Sequence, residues 1–200
     1  LLPCFCSRQW FCWWPFKSIL DEHLCQPIVD RWCGRGLYHP RNPVHGFPNE
    51  KLVHIPSFFN FEFITSKLEI TYEPFALYIG RIESEKGLFS LVKAFENSKY
   101  NLKIVGFSST GFEEELKDYL KDKQHNIEFL GKKHFDEIQV YLSKCSFTLV
   151  PSEWYDNFPN TLLESFAFKK CAVATNTGSL KELVIDNQTG LLFKLKDIQD

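Results

Sequence analysis

The 200-residue sequence contains no methionine and begins at Leu1. An average chain of this length carries a few methionines, so the expectation is a piece of a longer protein. Its last residues, Lys196-Asp-Ile-Gln-Asp200, likewise read as a helix start cut short. No apolar run approaches the ~20 residues of a membrane span. No basic segment precedes an apolar one as in a secretory signal, and a reducing cytoplasm is the default. Net charge is only −2, which excludes a general polyanion-binding surface and with it a nucleic-acid partner.

Chemical signatures are missing too. There is no Asp-x-Asp to hold a metal on a diphosphate, so no metal and no cofactor are expected. A Gly-x-Ser-x-Gly elbow is absent, as are a Gly-x-Gly-x-x-Gly fingerprint and a Walker loop. Of seven cysteines, five (Cys4, Cys6, Cys12, Cys25, Cys33) crowd the start without C-x2-C spacing, which argues against zinc. Cys145 and Cys171 lie beside apolar strands and read as buried small hydrophobes. Of the histidines, His23, His39, His45 and His54 precede the regular part of the chain. Only His125 and His134 fall inside it, which disfavours a histidine-based site there.

What is present divides into unlike parts. Residues 1–43, rich in Trp, Phe, Cys, Pro and Arg, keep neither a helical nor a strand period. They read as an irregular segment or the remnant of a preceding domain. Residues 44–73 read as a connector, with a short strand at Lys51-Leu-Val-His-Ile55 stopped by Pro56 and an extended segment at Phe58-Phe-Asn-Phe-Glu-Phe63.

From Pro74 the pattern turns regular. Apolar runs at 75–79, 102–105, 127–130, 147–150, 171–174 and 191–193 alternate with segments whose apolar residues recur at helical spacing, such as Leu88, Leu91, Val92 and Phe95. Four of the runs end in glycine or proline (Gly80, Gly106, Gly131, Pro151). Strand–helix alternation of this kind predicts an α/β fold, a doubly wound parallel sheet with helices on both faces, over 74–200. Ligands of such sheets bind at the carboxyl edge. The loops after the strands therefore carry the candidates.

Gly80-Arg-Ile-Glu-Ser-Glu-Lys-Gly87 joins the first strand to the first helix. It sets Arg81 and Lys86 at that edge, where a diphosphate needs fixed positive charge. A solvated basic loop is the alternative. Glu153-Trp-Tyr-Asp-Asn-Phe-Pro-Asn-Thr-Leu-Leu-Glu164 follows the fourth strand. Asn160 reads as an N-cap, with Thr161 and Leu162 opening a helix whose free amides favour an anion. Asp156 and Glu164, seven residues between them, are placed to face one cleft and accept bonds from sugar hydroxyls. A capped helix with an acidic first turn is the alternative. Thr175-Asn-Thr-Gly-Ser179 with Glu182 could line the same cleft as a polar loop, but reads better as a simple cap, Ser179 and Glu182 forming a capping box. Leu130-Gly-Lys-Lys133 reads as a surface basic pair that could also flank a nucleobase.

Taken together, Gly80-Arg-Ile-x-x-x-Lys-Gly87, Asp156-Asn-Phe-Pro-Asn-Thr-Leu-Leu-Glu164 and Gly178…Glu182…Thr189-Gly-Leu-Leu192 resemble the C-terminal domain of glycosyltransferase family 4. These are retaining group 1 enzymes of the GT-B fold, and the resemblance runs from about Gly46 to the end. It implies two Rossmann-like domains, of which this would be the donor-binding half, taking a nucleoside-diphosphate sugar. Arg81 and Lys86 would contact the diphosphate, Glu164 the ribose, and Asp156 the transferred sugar. Gly80, Gly131 and the backbone around Phe158, Asn160, Thr161 and Leu162 would line the donor. The resemblance further implies transfer to a glycan or lipid-linked acceptor in polysaccharide or glycolipid assembly, and peripheral membrane association through a preceding domain. Two departures stand out. Asp156 replaces the family's glutamate, and Gly106-Phe-Ser-Ser-Thr-Gly111 differs from its Gly-acidic-Gly-Pro turn. Residues 1–42 do not resemble the family's acceptor domain, so the chain is expected to bind donor and transfer poorly. A non-catalytic nucleotide-binding module of the same architecture is the competing reading.

Overall fold

Phe75, Ala76, Leu77 and Tyr78 are all buried, as expected for a strand covered on both faces. They belong to β1 (Phe75–Ile79), the first strand of a computed structural model that describes residues 68–156 and 159–196. The order then runs α1 (Leu88–Phe95), β2 (Asn101–Val105), α2 (Phe112–Leu120), β3 (Ile127–Gly131), α3 (Phe135–Lys144), β4 (Phe147–Val150), α4 (Asn160–Ala167), β5 (Ala172–Thr175), α5 (Leu180–Leu183) and β6 (Gly190–Phe193). A single 3-10 turn, Ser84–Lys86, precedes α1.

The six strands form one sheet in the order β3-β2-β1-β4-β5-β6. Every neighbouring pair is parallel. The predicted doubly wound sheet is therefore observed. The chain leaves β1 toward β2 and β3, then returns past β1 to β4. The strand order reverses between β1 and β4, and the carboxyl edge at such a reversal is where sheets of this kind bind their ligands.

Side chains of β1 alternate between two cores, as a period of two requires. Ala76 and Tyr78 join Leu88, Leu91, Val92, Leu116 and Leu120 on one face. Phe75 and Leu77 join Leu142, Cys145 and Phe168 on the other. Each fully buried leucine contributes about 1.5–3 kcal/mol relative to exposure. An exposed ion pair such as Lys144–Glu73 contributes about 0–1 kcal/mol, so burial rather than surface charge sets this fold.

Three local expectations are corrected. Cys145 is buried, but Cys171 is exposed, because it lies just before β5 rather than within it. Asn160 is not the N-cap of α4: Pro159 holds that position and Asn160 begins the helix. Ser179 makes no capping hydrogen bond at α5, because its hydroxyl turns to the Asp156 carbonyl, 2.7 Å away. A glutamate reaching back to its N-cap occurs at α3 instead, where the Glu137 carboxylate accepts from the His134 N–H at 3.1 Å. The strands expected at 51–55 and 58–63, the irregular 1–43 segment and the helix start at the chain's end lie outside the described residues.

Candidate functional site

Two loops meet at the carboxyl ends of β1 and β4. The first runs from Gly80 to Gly87 and is shaped by close backbone approaches. Gly87 has φ +70, and a Cβ there would lie 1.9 Å from the Pro151 carbonyl oxygen. Only glycine lets the two loops pack main chain to main chain. A Cβ on Gly106, after β2, would likewise lie 1.9 Å from the Gly80 carbonyl oxygen. The Gly80 N–H donates to Val105 and the Ile82 N–H to Phe107. The Arg81 carbonyl accepts from the Tyr78 hydroxyl at 2.7 Å.

Glu83 completes this side, and sequence reasoning missed it. Its carboxylate accepts from the Ser109 N–H at 3.1 Å and from the Ser109 and Thr110 hydroxyls at 2.7 Å each. These bonds, Thr110's foremost, hold the carboxyl below the usual range. The Ser-Ser-Thr run that departs from the family's turn is what supplies the donors. That run was the available signal.

The second loop, after β4, is held from the far side. The Thr175 hydroxyl donates to the Ser152 carbonyl at 2.7 Å, and Ser179 holds the Asp156 carbonyl. The Asp156 N–H donates to the Trp154 carbonyl at 2.9 Å. Asp156 is thus pinned at both its N–H and its C=O. The loop after β5, which reads in sequence as a mere cap, acts as its scaffold.

Across the switch point the loops are joined directly. The Glu153 N–H donates to the Glu85 carbonyl at 2.9 Å. The Thr161 hydroxyl in the first turn of α4 donates to the Ile79 carbonyl at 3.1 Å, which seats that helix start on the end of β1. Lys86 Nζ lies 2.5 Å from Asp156 Oδ1, each side chain 20% exposed.

The predicted residues therefore divide. Lys86 and Asp156 come together. Arg81 pairs instead with Glu85 at 3.4 Å and is 58% exposed. Glu164 lies on α4. Burial raises its pKa, and among the described residues nothing hydrogen-bonds or ion-pairs with its carboxylate. Gly80 follows β1, and Thr161 and Leu162 lie in the first turn of α4 with Asn160, which is exposed; the Leu162 side chain is fully buried, so only its backbone can face a ligand. Gly131 ends β3, two strands from β1. There Lys132 sits 5.2 Å from the centroid of the half-exposed Phe107 ring. Phe158 lies outside the described residues.

Tyr78 reports how close these charges stand. Burial first, then the charge of Asp156, pushes its phenol well above the usual value, while Arg81 opposes the shift. The arrangement can thus meet an anion with Lys86, Arg81 and the amino end of α4, and can offer carboxylates to hydroxyl donors. Among the described residues no helix is long and apolar enough to cross a membrane.

Residues 60–200 match the family model described as "Glycosyl transferases group 1". An uncharacterized glycosyltransferase of Methanocaldococcus jannaschii is 33% identical over 127 residues, covering 63% of this chain and 35% of that protein. The N-acetylgalactosamine-N,N'-diacetylbacillosaminyl-diphospho-undecaprenol 4-alpha-N-acetylgalactosaminyltransferase of Campylobacter jejuni is 30% identical over 127 residues, covering 62% and 34%. Among solved structures, Anabaena HepE in complex with UDP and glucose superposes with a TM-score of 0.58 at 20% identity, over 64% of this chain and 36% of that one. The chain spans about a third of the length of these curated relatives.

Proposed function

The chain belongs to the group 1 glycosyl transferases, and from that premise we propose that residues 74–200 are the donor half of a retaining family 4 enzyme that binds a nucleoside-diphosphate sugar. The observation that carries this reading is the meeting of Lys86, Asp156 and the start of α4 where the strand order reverses. One turn into α4, the desolvated Glu164, unpartnered among the described residues, suits a pair of ribose hydroxyls. HepE, solved with UDP and glucose, has the same fold. The Campylobacter relative, by its name, extends a diphospho-undecaprenol-linked glycan. We take a hexosyl donor and a glycan or lipid-linked acceptor for the intact enzyme on that basis, with peripheral membrane association through its other domain.

In this reading Arg81 and Lys86 hold the diphosphate, Glu164 the ribose and Asp156 the sugar. Gly80, Gly131, Phe158, Asn160, Thr161 and Leu162 line the donor. As the sugar–phosphate bond breaks, positive charge grows on the sugar and negative charge on the leaving diphosphate. Fixed cations and helix amides that meet the growing negative charge lower the barrier, and they do so without a metal or cofactor. Retention needs no side-chain nucleophile when the departing phosphate takes the acceptor's proton.

Calorimetric titration with UDP-, GDP- and ADP-sugars tests the reading. One of them should bind, and Lys86→Ala and Glu164→Ala should each weaken it tenfold or more, roughly the loss of one charge-assisted hydrogen bond. A folded sample that binds none of them sinks the donor assignment. Ordinary turnover by these 200 residues alone would overturn the expectation that the chain transfers poorly.

A further inference from the structure

Lys86 is not waiting for an anion with its charge free. In the described structure its ammonium is already satisfied by Asp156 at 2.5 Å, with both side chains only 20% exposed. Arg81 differs: its partner Glu85 is 3.4 Å away and the arginine is 58% exposed, so solvent screens that pair and an anion meets little competition. Resting on the donor reading above, we propose that Lys86–Asp156 is an exchange pair that makes the site favour an intact nucleotide sugar over the bare nucleoside diphosphate. A donor's phosphate takes Lys86 while its sugar hydroxyls take Asp156, so both charges leave one partner and gain another. A bare diphosphate takes Lys86 and leaves Asp156 with no replacement. Stranding one member of a half-buried pair carries a penalty that the matched ligand avoids.

The geometry confines this exchange to two side chains. The Asp156 main chain is fixed at its N–H by the Trp154 carbonyl and at its carbonyl by Ser179. The two loops are locked by the Glu153-to-Glu85 bond and by the Gly87–Pro151 approach. The carboxylate can swing from Lys86 to a sugar while its backbone stays in place. The same pair favours product release, because once the sugar has gone Asp156 competes with the remaining diphosphate for Lys86.

The test is titration of the whole chain with UDP and UDP-glucose, GDP and GDP-mannose, and ADP and ADP-glucose. Wild type should bind the nucleotide sugar of the recognised pair more tightly than its diphosphate. Asp156→Asn should bind that diphosphate about tenfold more tightly than wild type and lose most of the preference for the sugar form. Removing a carboxylate also relieves plain repulsion of any anion, so the decisive measurement is a double-mutant cycle. In a Lys86→Ala background the gain from Asp156→Asn should largely vanish. A gain that persists in full there, or no gain at all, overturns the exchange. Circular dichroism checks each fold, and Asp156→Ser repeats the measurement should asparagine unsettle the loop. Donor binding by wild type with no gain in the variant fells this proposal alone. Failure of every nucleotide to bind wild type and variant alike fells the donor reading with it.

Discussion

Two lysines at opposite ends of the sheet show how differently this molecule uses one kind of charge. Lys170, just before β5 at the amino edge, is 1% exposed. Its ammonium donates to the Thr71 carbonyl at 2.6 Å and lies 3.9 Å from the centre of the Tyr72 ring, and burial lowers its pKa. Lys86, at the carboxyl edge, faces a carboxylate, and both side chains keep some contact with solvent. A neutral carbonyl and a ring are partners that no solute displaces without opening the packing. A charged partner beside solvent is one that a better-matched anion and its hydroxyls replace. One edge uses a lysine to fasten the segment leading into β1, and the other keeps a lysine for a ligand.

The largest effect that breaks this contrast is at Gly87. The carboxyl edge depends on main-chain contact, and alanine there meets both a left-handed φ of +70 and the Pro151 carbonyl oxygen at 1.9 Å. Gly87→Ala should therefore cost about 3 kcal/mol or more, read from urea denaturation, and abolish donor binding. Wild-type stability in that variant would mean that the loops are joined by something other than the close approach.

The two edges were also unequally legible in the sequence. Periodicity located all six strands, because a sheet buried on both faces leaves continuous apolar runs and its turns demand glycine or proline. Lys86, Asp156 and Glu164 stood out by their place after β1 and β4. What lay hidden depends on segments far apart in sequence. Lys170 follows a helix as surface lysines commonly do, and only the return of Thr71 and Tyr72 across it makes it a buried fastening. Ser179, with Glu182 three residues on, fits a local cap perfectly well. No local pattern shows that a carbonyl 23 positions earlier takes its hydroxyl instead. Glu83, in a loop with one other acid, Glu85, gave no hint that the turn after β2 closes over it.

The second effect sharpens the carboxyl edge itself. Desolvation raises the pKa of Glu164, and among the described residues no partner offsets it. The carboxyl thus takes up a proton at a pH where an exposed glutamate, near 4.3, is still ionised. Ribose hydroxyls need the ionised acceptor, so donor affinity should fall on acidification before ordinary carboxylates titrate. Glu164→Gln should bind tenfold to a hundredfold more weakly at neutral pH, about 1.4–2.7 kcal/mol, and should lack that acid limb. Calorimetry across pH 4.5–7.5 reads both. An affinity flat through this range would show that Glu164 stays clear of the donor.

The smallest effect tests the contrast most directly, by giving both lysines the same substitution. Lys170→Met keeps the apolar stem but removes the ammonium that satisfies the Thr71 carbonyl. A hydrogen bond to a charged group contributes about 1.5–3 kcal/mol. The variant also escapes the burial of a charge, which offsets part of that, so a net loss near 1 kcal/mol is expected with donor affinity unchanged. Lys86→Met differs in the second readout. It leaves the half-buried Asp156 without its lysine, at about the tenfold penalty argued above, roughly 1.4 kcal/mol, and the donor in addition loses a diphosphate contact. Titrations therefore separate the two variants, while urea midpoints check that both fold and that the stability losses are of similar size. If Lys170→Met weakened donor binding as much as Lys86→Met, the amino edge would be coupled to the ligand, and the segment packed under Lys170 would be part of how the crevice is held open rather than a fastening alone.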